Sequence, residues 1–480
     1  MLRRLFTLLL VFALIPRLNA ADLPDLGDVS ASELSPLAER KLGESIVRDL
    51  RWRDPSYLDD PEVEDYVATM GRRLVAHSPA SQQDFDFFVI RDTTLNAFAL
   101  PGGFIGVHTG LLLAAESESE LASVLGHEIS HVAQRHIAQM FGKQGQTSMM
   151  MLASLLVAVL AARSNSQVSE AAIVAGQAGA IQAQLAYTRD FEREADRIGL
   201  QIVEGAGYDV RGMPAFFERL QRASRLYENN APSYLRTHPL TGERIADMEN
   251  RVAQMHYRQV VDSQDFAFMK AKLRVAGEPA ADAVREFEGV LAKQPNDAAA
   301  RYGLARALLS AGRAEDAGRT LEPLRVSVKP SMFVDSLAAE QRAAAGDREG
   351  AVKILQAAQN RFPDSRSVRY SLIETLLQAG RGAEAGMIAR AGVQSKADDA
   401  RMWAFVARAE AAQGRRAGQH RAQAEVYVLR GSLPAAIEQL DLARRAGDAD
   451  FYESSAIDAR MRELKERAKD EKLERQRSGR

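Results

Sequence analysis

His127-Glu128-Ile129-Ser130-His131 is the stretch that predicts how the rest of the chain is organised. Its two histidines are four residues apart, so on a helix both imidazoles lie on one face, where two nitrogens can bind one Zn²⁺ ion. Glu128 then lies beside the coordination position that remains for a water molecule. The pattern predicts a zinc site with an adjacent general base, and a chance match on an ordinary buried helix is the alternative.

The residues before the motif favour a helix that begins shortly upstream. Ser117 followed by Glu120 has the form of a capping box, in which each side chain bonds to a backbone amide of the first turn. An apolar stripe at helical spacing follows and could bury one face of the helix: Leu121, Val124, Leu125 and Val132. The motif is therefore expected on a buried helix.

The composition indicates a globular protein with more than one domain. The 480 residues exceed what one ordinary core holds, and hydrophobic residues make up 46% and charged residues 26% of the chain. A net charge of −2 without a basic stripe argues against binding to nucleic acid. The absence of cysteine excludes disulfides, thiolate zinc sites and cysteine nucleophiles.

The N-terminus has the layout of a secretory signal peptide. Arg3 and Arg4 precede an apolar run at residues 5–15, and Ala20 supplies a small residue at a cleavage point. We expect residues 1–20 to be removed on export. A retained membrane anchor is the alternative, although the run is shorter than the about 20 residues that a spanning helix needs.

Local patterns upstream of the motif predict a small α+β unit. Pro36 and Pro61 can each open a helix, since proline is tolerated in a first turn. Residues 85–90 and Phe104–His108 are typical of strands. A sheet edge beside the zinc helix could bind an extended peptide through main-chain hydrogen bonds, and a sheet that only covers the core is the alternative.

The segment after the zinc helix changes character. Residues 142–147 are polar, residues 149–162 are almost wholly apolar, and sequence rich in alanine and glutamine continues to residue 186. The apolar piece is too short to cross a bilayer comfortably. We expect either a buried helix or an exposed flap next to the site that could contact a membrane surface.

Two downstream carboxylates are candidates for the third ligand that such a zinc site needs. Glu192 and Asp196 are four residues apart on a predicted helix, so they face the same way. One could bind the metal while the other accepts the outer N–H of a ligating histidine. A solvated acidic helix face is the alternative.

The other histidines carry weaker signals. His238 lies in the turn-like stretch Thr237-His238-Pro239, where an ordinary surface histidine is the alternative to a site residue. The remaining ones have no partner that the sequence identifies, and we assign them no role: His77, His108, His136, His256 and His420.

The C-terminal half is periodic. Gly312, Gly346, Gly380 and Gly414 recur every 34 residues, which is the tetratricopeptide period. Such helix pairs stack into a curved solenoid that binds peptides or proteins on its concave face. Gly431 breaks the register, so we expect an irregular or shortened last unit. The predicted fold is mainly α: an α+β zincin domain with a small sheet, followed by an α-solenoid.

Several stretches together resemble the HtpX and CAAX-prenyl-protease family of zinc gluzincins. They are HEISH at 127–131, Glu192-x-x-x-Asp196, Asn96-Ala97-Phe98-Ala99, Pro101-Gly102-Gly103 and Thr237-His238-Pro239. The signal peptide and the C-terminal repeats narrow the resemblance to periplasmic members that act on the assembly of outer-membrane β-barrel proteins.

The resemblance implies a zinc endopeptidase with one zinc ion per chain. It implies that His127, His131 and Glu192 bind the metal, that Glu128 is the catalytic base, and that Asp196 supports the catalytic site by orienting a ligand.

The resemblance also implies a regulated site. His238 would approach the zinc as an extra ligand that keeps the resting site latent, with stabilisation of the transition state as the alternative. Residues 142–186 would form a mobile lid. We further expect Asn96, Gly102 and Gly103 to contact the substrate.

The implied partners are unfolded or misassembled outer-membrane proteins and, through the repeats, the β-barrel assembly machinery. Peripheral membrane contact would use residues 149–162, in the periplasm and near the outer membrane. We expect a signal peptide (1–20), a metallopeptidase domain (21–260), a repeat domain (264–460) and a charged tail (461–480). A non-catalytic repeat scaffold or chaperone with a latent or structural zinc site is the alternative. An integral-membrane prenyl protease would need several long apolar spans, which the sequence lacks.

Overall fold

A computed structural model describes residues 35–141, 189–225, 233–256 and 258–478. The predicted signal peptide (1–20) and the predicted lid (142–186), with its apolar piece at 149–162, lie outside the described residues. Among the described residues, no helix combines the length and the apolar character that crossing a membrane requires.

Two capped helices open the described chain. Helix α1 (Pro36–Arg53) is capped by Ser35, whose hydroxyl accepts the N–H of Ala38. Helix α2 (Pro61–Val75) is capped by the Asp60 side chain, which accepts two amides of the first turn. Both start at the predicted prolines, because proline lacks the N–H that a first turn leaves without a helical partner.

Within the described part of the chain, three strands form one mixed sheet in the order β1-β3-β2: β1 (Asp86–Ile90), β2 (Ala97–Leu100) and β3 (Phe104–His108). Strand β3 runs parallel to β1 and antiparallel to β2. The N–H of His108 donates to the carbonyl of Asn96 at 3.0 Å, so these two residues form a hydrogen-bonded pair of the antiparallel ladder. Hydrogen-bonded and non-hydrogen-bonded pairs alternate from there along β2. Ala97 and Ala99 belong to the non-hydrogen-bonded pairs of this ladder, so their N–H and C=O groups point away from β3, to the outer edge of the sheet.

The predicted zinc helix is α4 (Glu118–Ala133), and its apolar stripe is buried. Ser117 caps it by accepting the N–H of Glu120, as expected, but the Glu120 carboxylate returns to the N–H of Glu116 rather than to that of Ser117. The surrounding helices are α3 (Thr109–Ala114), α5 (His136–Phe141), α6 (Arg189–Gly205), α7 (Gly212–Arg225), α8 (Ser233–Thr237) and α9 (Gly242–Gln254).

The predicted repeats are helix pairs. Gly312, Gly346, Gly380 and Gly414 each follow the first helix of a pair with φ between 74° and 88°, a left-handed conformation that glycine adopts without strain. The pairs described over residues 264–478 are α10 (Gln264–Gly277) with α11 (Ala280–Lys293), α12 (Ala298–Ser310) with α13 (Ala314–Ser327), α14 (Met332–Ala344) with α15 (Arg348–Arg361), α16 (Arg366–Gln378) with α17 (Gly382–Ser395), α18 (Ala400–Ala412) with α19 (Arg416–Leu429), and α20 (Leu433–Arg445) with α21 (Phe451–Ser478).

The last pair explains the break in register. Gly447, 33 residues after Gly414, occupies the turn inside this pair with φ 78°. Gly431 lies instead in the turn between two pairs. The final helix α21 has 28 residues and runs without interruption through the boundary that we expected at residues 460 and 461.

One hydrophobic core joins the sheet, α2, α4, α6 and the first repeats. Polar contacts also connect α2 to the start of α16, further along the solenoid. Asp65 on α2 accepts the N–H of Ser367 at 2.8 Å and the hydroxyl of Ser365 at 3.0 Å. The fold is mainly α with a small sheet, followed by an α-solenoid, as the sequence predicts.

Candidate active site

The site forms where helices α4 and α6 cross at two glycines. A Cβ atom added to Gly126 would lie 3.2 Å from the carbonyl oxygen of Gly199, and one added to Gly199 would lie 3.2 Å from the amide nitrogen of His127. The two backbones therefore approach more closely than larger residues would allow. This approach brings the zinc motif of α4 against the acidic face of α6.

Four buried side chains converge within the residues that the structure describes. One ligand atom from each of His127, His131, Glu192 and His238 lies within 4.8 Å of the others. His127 Nε2 is 3.0 Å from His131 Nε2 and 3.4 Å from Glu192 Oε2. His238 Nδ1 is 3.3 Å from His127 Nε2 and 3.0 Å from Glu192 Oε1.

The distances between these donors are close to those of a metal site with four protein ligands. Ligand bonds of about 2.0–2.2 Å place the donors of a tetrahedral zinc ion about 3.3–3.6 Å apart. The nitrogen and carboxylate donors are also the types that Zn²⁺ prefers in the absence of cysteine. The donor set therefore fits a zinc ion, with three ligands from the expected residues and His238 as the fourth.

The two carboxylates of α6 occupy different places. Glu192 lies among the metal donors, whereas Asp196 Oδ1 faces His127 Nδ1 at 3.0 Å, on the outer side of that ring. A carboxylate at this position favours the tautomer whose Nε2 lone pair points to the metal. Burial opposes ionisation of Asp196, but hydrogen bonds with His127 and Arg244 outweigh it and lower the Asp196 pKa.

Arg244, on helix α9, ties the two carboxylates together. Its Nε and Nη2 donate to the two oxygens of Asp196 at 2.7 and 2.8 Å. Its Nη1 donates to the carbonyl of Pro239 and lies 2.7 Å from Glu192 Oε2. Arg244 is 3% exposed, so its charge compensates carboxylates that are equally shielded from water.

Glu128 is fully buried at the inner end of the site. No side chain among the described residues donates a hydrogen bond to its carboxylate, although His238 Nε2 lies 3.4 Å from Oε1 and the backbone N–H of Ala99 faces it. Burial raises the pKa of Glu128, and the neighbouring histidines and the backbone N–H of Ala99 oppose this only in part. A buried carboxylate of this kind is suited to accept a proton.

His238 is held in place by the short helix α8. The ring of Tyr234 stacks on the ring of His238 with their centroids 4.6 Å apart. The backbone N–H of Tyr234 donates to the carbonyl of Leu95, just before the edge strand β2. The segment that carries His238 therefore occupies the first hydrogen-bonding position of that edge.

The three expected substrate contacts lie in two places. Asn96 precedes β2 and is buried, and its Oδ1 has no hydrogen-bond partner within the described residues. Gly102 and Gly103 form the turn after β2, where added Cβ atoms would meet the backbones of Arg40 and Asp84 rather than a candidate ligand. The backbone path of this turn accounts for both glycines, and their contact with substrate stays a prediction.

Sequence reasoning missed three residues at the site. Arg244 has a local signal, because a charged residue beside the apolar Ile245 and Met248 of one helix indicates a buried ion pair. Tyr234 carried no signal. His136, to which no role was assigned, is fully buried with its Nδ1 2.9 Å from His131 Nδ1.

The comparisons with known proteins cover both parts of the chain. The profile of Peptidase family M48 matches residues 61–252, and a tetratricopeptide repeat profile matches residues 278–327 and 342–409. The β-barrel assembly-enhancing protease of Escherichia coli (strain K12) is 33% identical over 465 residues, which are 94% of this chain and 93% of that one. The chain belongs to peptidase family M48, among the β-barrel assembly-enhancing proteases.

Other members of this family support the assignment. The β-barrel assembly-enhancing protease of Yersinia pestis is 32% identical over 92% of this chain and 91% of its own. The mitochondrial metalloendopeptidase OMA1 of Arabidopsis thaliana is 30% identical over 45% of this chain and 41% of its own. This M48 peptidase is therefore a metalloendopeptidase, and its converging His and Glu side chains are the candidate metal ligands.

Proposed function

We propose that this chain is a periplasmic zinc endopeptidase, with chaperone-like activity, that acts on misassembled outer-membrane β-barrel proteins. The observation that carries the proposal is the convergence of four buried donors with the buried carboxylate of Glu128 beside them. The names of the relatives support the substrate class, because they describe proteases that enhance β-barrel assembly.

The proposed roles follow from the positions of the side chains. His127, His131 and Glu192 hold the zinc ion, and Asp196 orients the ring of His127. When bound, zinc supplies Lewis-acid activation of the peptide carbonyl and of the attacking water molecule. Glu128 takes the proton of that water at a carboxylate oxygen and then donates it to the leaving amide nitrogen.

Substitution of the proposed base tests this mechanism. We expect Glu128→Gln to retain one zinc ion per chain and to cleave an unfolded outer-membrane β-barrel protein about 10²- to 10⁴-fold more slowly, because the amide cannot accept the proton. Zinc content and cleavage rate are the measurements. The exposed Glu204 on α6 offers the control Glu204→Gln, which should cleave like the parent.

Two outcomes would contradict this assignment. If Glu128→Gln cleaves as fast as the parent, Glu128 is not the catalytic base. If cleavage continues after a chelator has taken away all the zinc, the reaction does not depend on the metal. We expect chelation to stop cleavage while the repeats still capture the unfolded substrate. Capture without any cleavage by the zinc-loaded parent would favour the repeat scaffold instead.

We propose that the substrate pairs with strand β2 along the outer edge of the sheet. Ala97 and Ala99 are buried in this structure, and once the segment that carries His238 moves away their outward N–H and C=O groups can pair with an extended peptide of any sequence. A misassembled β-barrel exposes strands whose backbone groups lack partners, so it offers the matching chemistry. The proposal for β-barrel substrates thus rests on backbone recognition as well as on relatives.

Proline at the edge tests this pairing. Ala99→Pro removes the N–H that faces Glu128, while the ladder to β3 keeps its hydrogen bonds because Ala99 points away from it. We expect KM for an extended peptide to rise about tenfold, the equivalent of one or two hydrogen bonds, with zinc content unchanged. The control is Ala99→Ser, which keeps the N–H. Equal KM values for the two variants would exclude edge pairing at this residue.

His238 is proposed as a latch of the resting site. Its Nδ1 fills the position among the donors where substrate and water would bind, and its Nε2 lies beside the base. A peptide that pairs with β2 would compete for the carbonyl of Leu95, which the latch segment now uses. Substrate pairing and latch release would then be linked.

The proposed periplasmic location rests on residues 1–20, and contact with a membrane surface rests on residues 149–162. We expect the exported protein to begin at Ala21, which N-terminal sequencing of material from the periplasmic fraction can check. A mature chain that still begins at residue 1 would contradict cleavage of the signal peptide. The proposed macromolecular partners are the substrates themselves and, through the repeats, the β-barrel assembly machinery.

A further inference from the structure

Another buried histidine, His136, lies behind the metal set and is not used in the mechanism above. His136 begins helix α5, and its side chain is 0% exposed. Its Nδ1 lies 2.9 Å from Nδ1 of His131, on the side of that ring opposite to the metal donors. Its Nε2 lies 3.3 Å from Oε2 of Glu194 on α6.

The protonation of the three groups follows from this order. If His131 binds the metal through Nε2, its Nδ1 carries a hydrogen and is a donor. His136 Nδ1 must then be the acceptor, so its own hydrogen is on Nε2 and points to the carboxylate of Glu194. In the hydrogen-bonded series Glu194–His136–His131, every hydrogen then has one donor and one acceptor.

The backbone is bent to place His136 there. Arg135 has φ 53°, and it is a non-glycine residue with positive φ in the described part of the chain. Such a residue sits in a sparsely populated conformation that persists only when its surroundings hold it. Arg135 Nε donates to Oε1 of Glu39 on α1 at 3.0 Å, and the ring of His136 stacks on Phe191 with centroids 4.3 Å apart.

We propose that His136 is a positioning residue that accepts the outer N–H of His131 and so orients that ring toward the metal. It would do for His131 what Asp196 does for His127, with an imidazole backed by Glu194 in place of a carboxylate. This inference rests on the proposed zinc site. It adds a residue that contacts neither substrate nor metal.

Two variants of nearly equal shape isolate the proposed hydrogen bond. Asn places its Oδ1 close to where His Nδ1 lies, so His136→Asn can keep the acceptor, whereas His136→Leu has similar volume and no acceptor. Both variants lose the ring stacking and the contact with Glu194. We expect His136→Leu to bind zinc about 10- to 100-fold more weakly in competition with a chromogenic chelator, and His136→Asn to recover most of that loss.

A matched control separates this effect from general damage to a buried histidine. His108 is 1% exposed and contacts Thr94 instead of a candidate ligand, so His108→Asn should leave zinc affinity unchanged. Equal zinc affinity of parent, His136→Leu and His136→Asn would overturn the inference and leave the zinc site intact. Failure of the parent itself to bind one zinc ion would instead refute the proposed function.

A measurement on the parent needs no variant that might fail to fold. In the zinc-loaded chain with ¹⁵N-labelled histidine, the hydrogen bond should give a scalar coupling between the two Nδ1 nuclei of His131 and His136. A His131 ring whose Nδ1–H shows no coupling to His136 and exchanges freely with water would overturn the inference.

Discussion

His238 contacts both the metal donors and the base, and this double contact makes it the residue whose removal is most informative. Its Nδ1 lies 3.0 Å from Glu192 Oε1, and its Nε2 lies 3.4 Å from Glu128 Oε1. We expect His238→Ala to raise the rate of peptide cleavage about tenfold or more, which corresponds to a latched state favoured by at least about 1.4 kcal/mol. Initial rates at a subsaturating peptide concentration are the measurement.

The control for this prediction is His77→Ala, at an exposed histidine distant in sequence from the motif. It should cleave like the parent. A fall in the rate of His238→Ala with zinc still bound would show that this histidine stabilises the transition state, and the latch would be refuted.

The different positions of Glu192 and Asp196 are also visible at the level of single atoms. Their separation of four residues places both carboxylates on one face of α6, but it does not predict which of them lies next to the other metal donors. The distances separate them, because Asp196 faces the outer nitrogen of His127 while Glu192 lies among the donors. Arg244 supplies the buried positive charge that lets two carboxylates lie so close together.

At the level of elements, the crossing of α4 and α6 positions the candidate ligands. Gly199→Ala would place a Cβ 3.2 Å from the backbone nitrogen of His127 and 3.3 Å from the backbone carbon of Gly126, and neither can move without shifting α4. We expect lower thermal stability, by about 1–3 kcal/mol for an overpacked contact, together with weaker zinc binding. Thermal unfolding and chelator competition measure the two effects.

A helical glycine in open space is the matched control. Gly289 lies inside α11 with nothing within 4 Å of an added Cβ. Gly289→Ala should therefore stabilise the chain by about 0.5–1 kcal/mol and leave zinc binding unchanged. If Gly199→Ala were equally stabilising, the close helix crossing would not be needed to form the site.

At the level of the whole molecule, the repeats are joined to the peptidase part through the buried carboxylate of Asp65. It accepts hydrogen bonds from Ser365 and Ser367 and lies 3.3 Å from the guanidinium of Arg366. We expect Asp65→Ala to destabilise this junction by about 1–3 kcal/mol, since the backbone N–H of Ser367 loses its buried partner. Faster hydrogen exchange at residues 365–368 and a lower melting temperature are the observations that check it.

The neighbouring Asp59 gives the control. Its side chain is 69% exposed and pairs with Arg401 of the repeats, and exposed ion pairs contribute about 0–1 kcal/mol. Asp59→Ala should leave exchange at residues 365–368 unchanged. Equal effects of the two substitutions would mean that the junction does not depend on Asp65.

Much of the fold could be predicted because its signals are local. A proline in a first turn and a serine or aspartate cap depend only on residues close in sequence, and a glycine period of 34 residues can be counted along the chain. Each of these signals predicts an element that the structure contains. Strand β2 was not assigned as a strand, since four residues carry little periodic signal and its partner β3 defines it. The boundary expected between the repeat domain and the charged tail, at residues 460 and 461, falls inside helix α21, because the many charges of this segment hide the signal of the buried Met461 and Leu464.

By itself, the sequence determined that two histidines share one helical face with a glutamate directly after the first, that two carboxylates share the face of another helix, and that a solenoid follows. These properties follow from the pitch of a helix and from a repeat period, so they need no knowledge of distant residues. Only the tertiary structure decided that His238 lies among the donors from a segment 111 residues away, that Arg244 bridges the carboxylates, and that His136 contacts the outer nitrogen of His131. Those contacts depend on how closely helices cross and on where a strained turn directs one ring, and neither leaves a periodic trace in the chain.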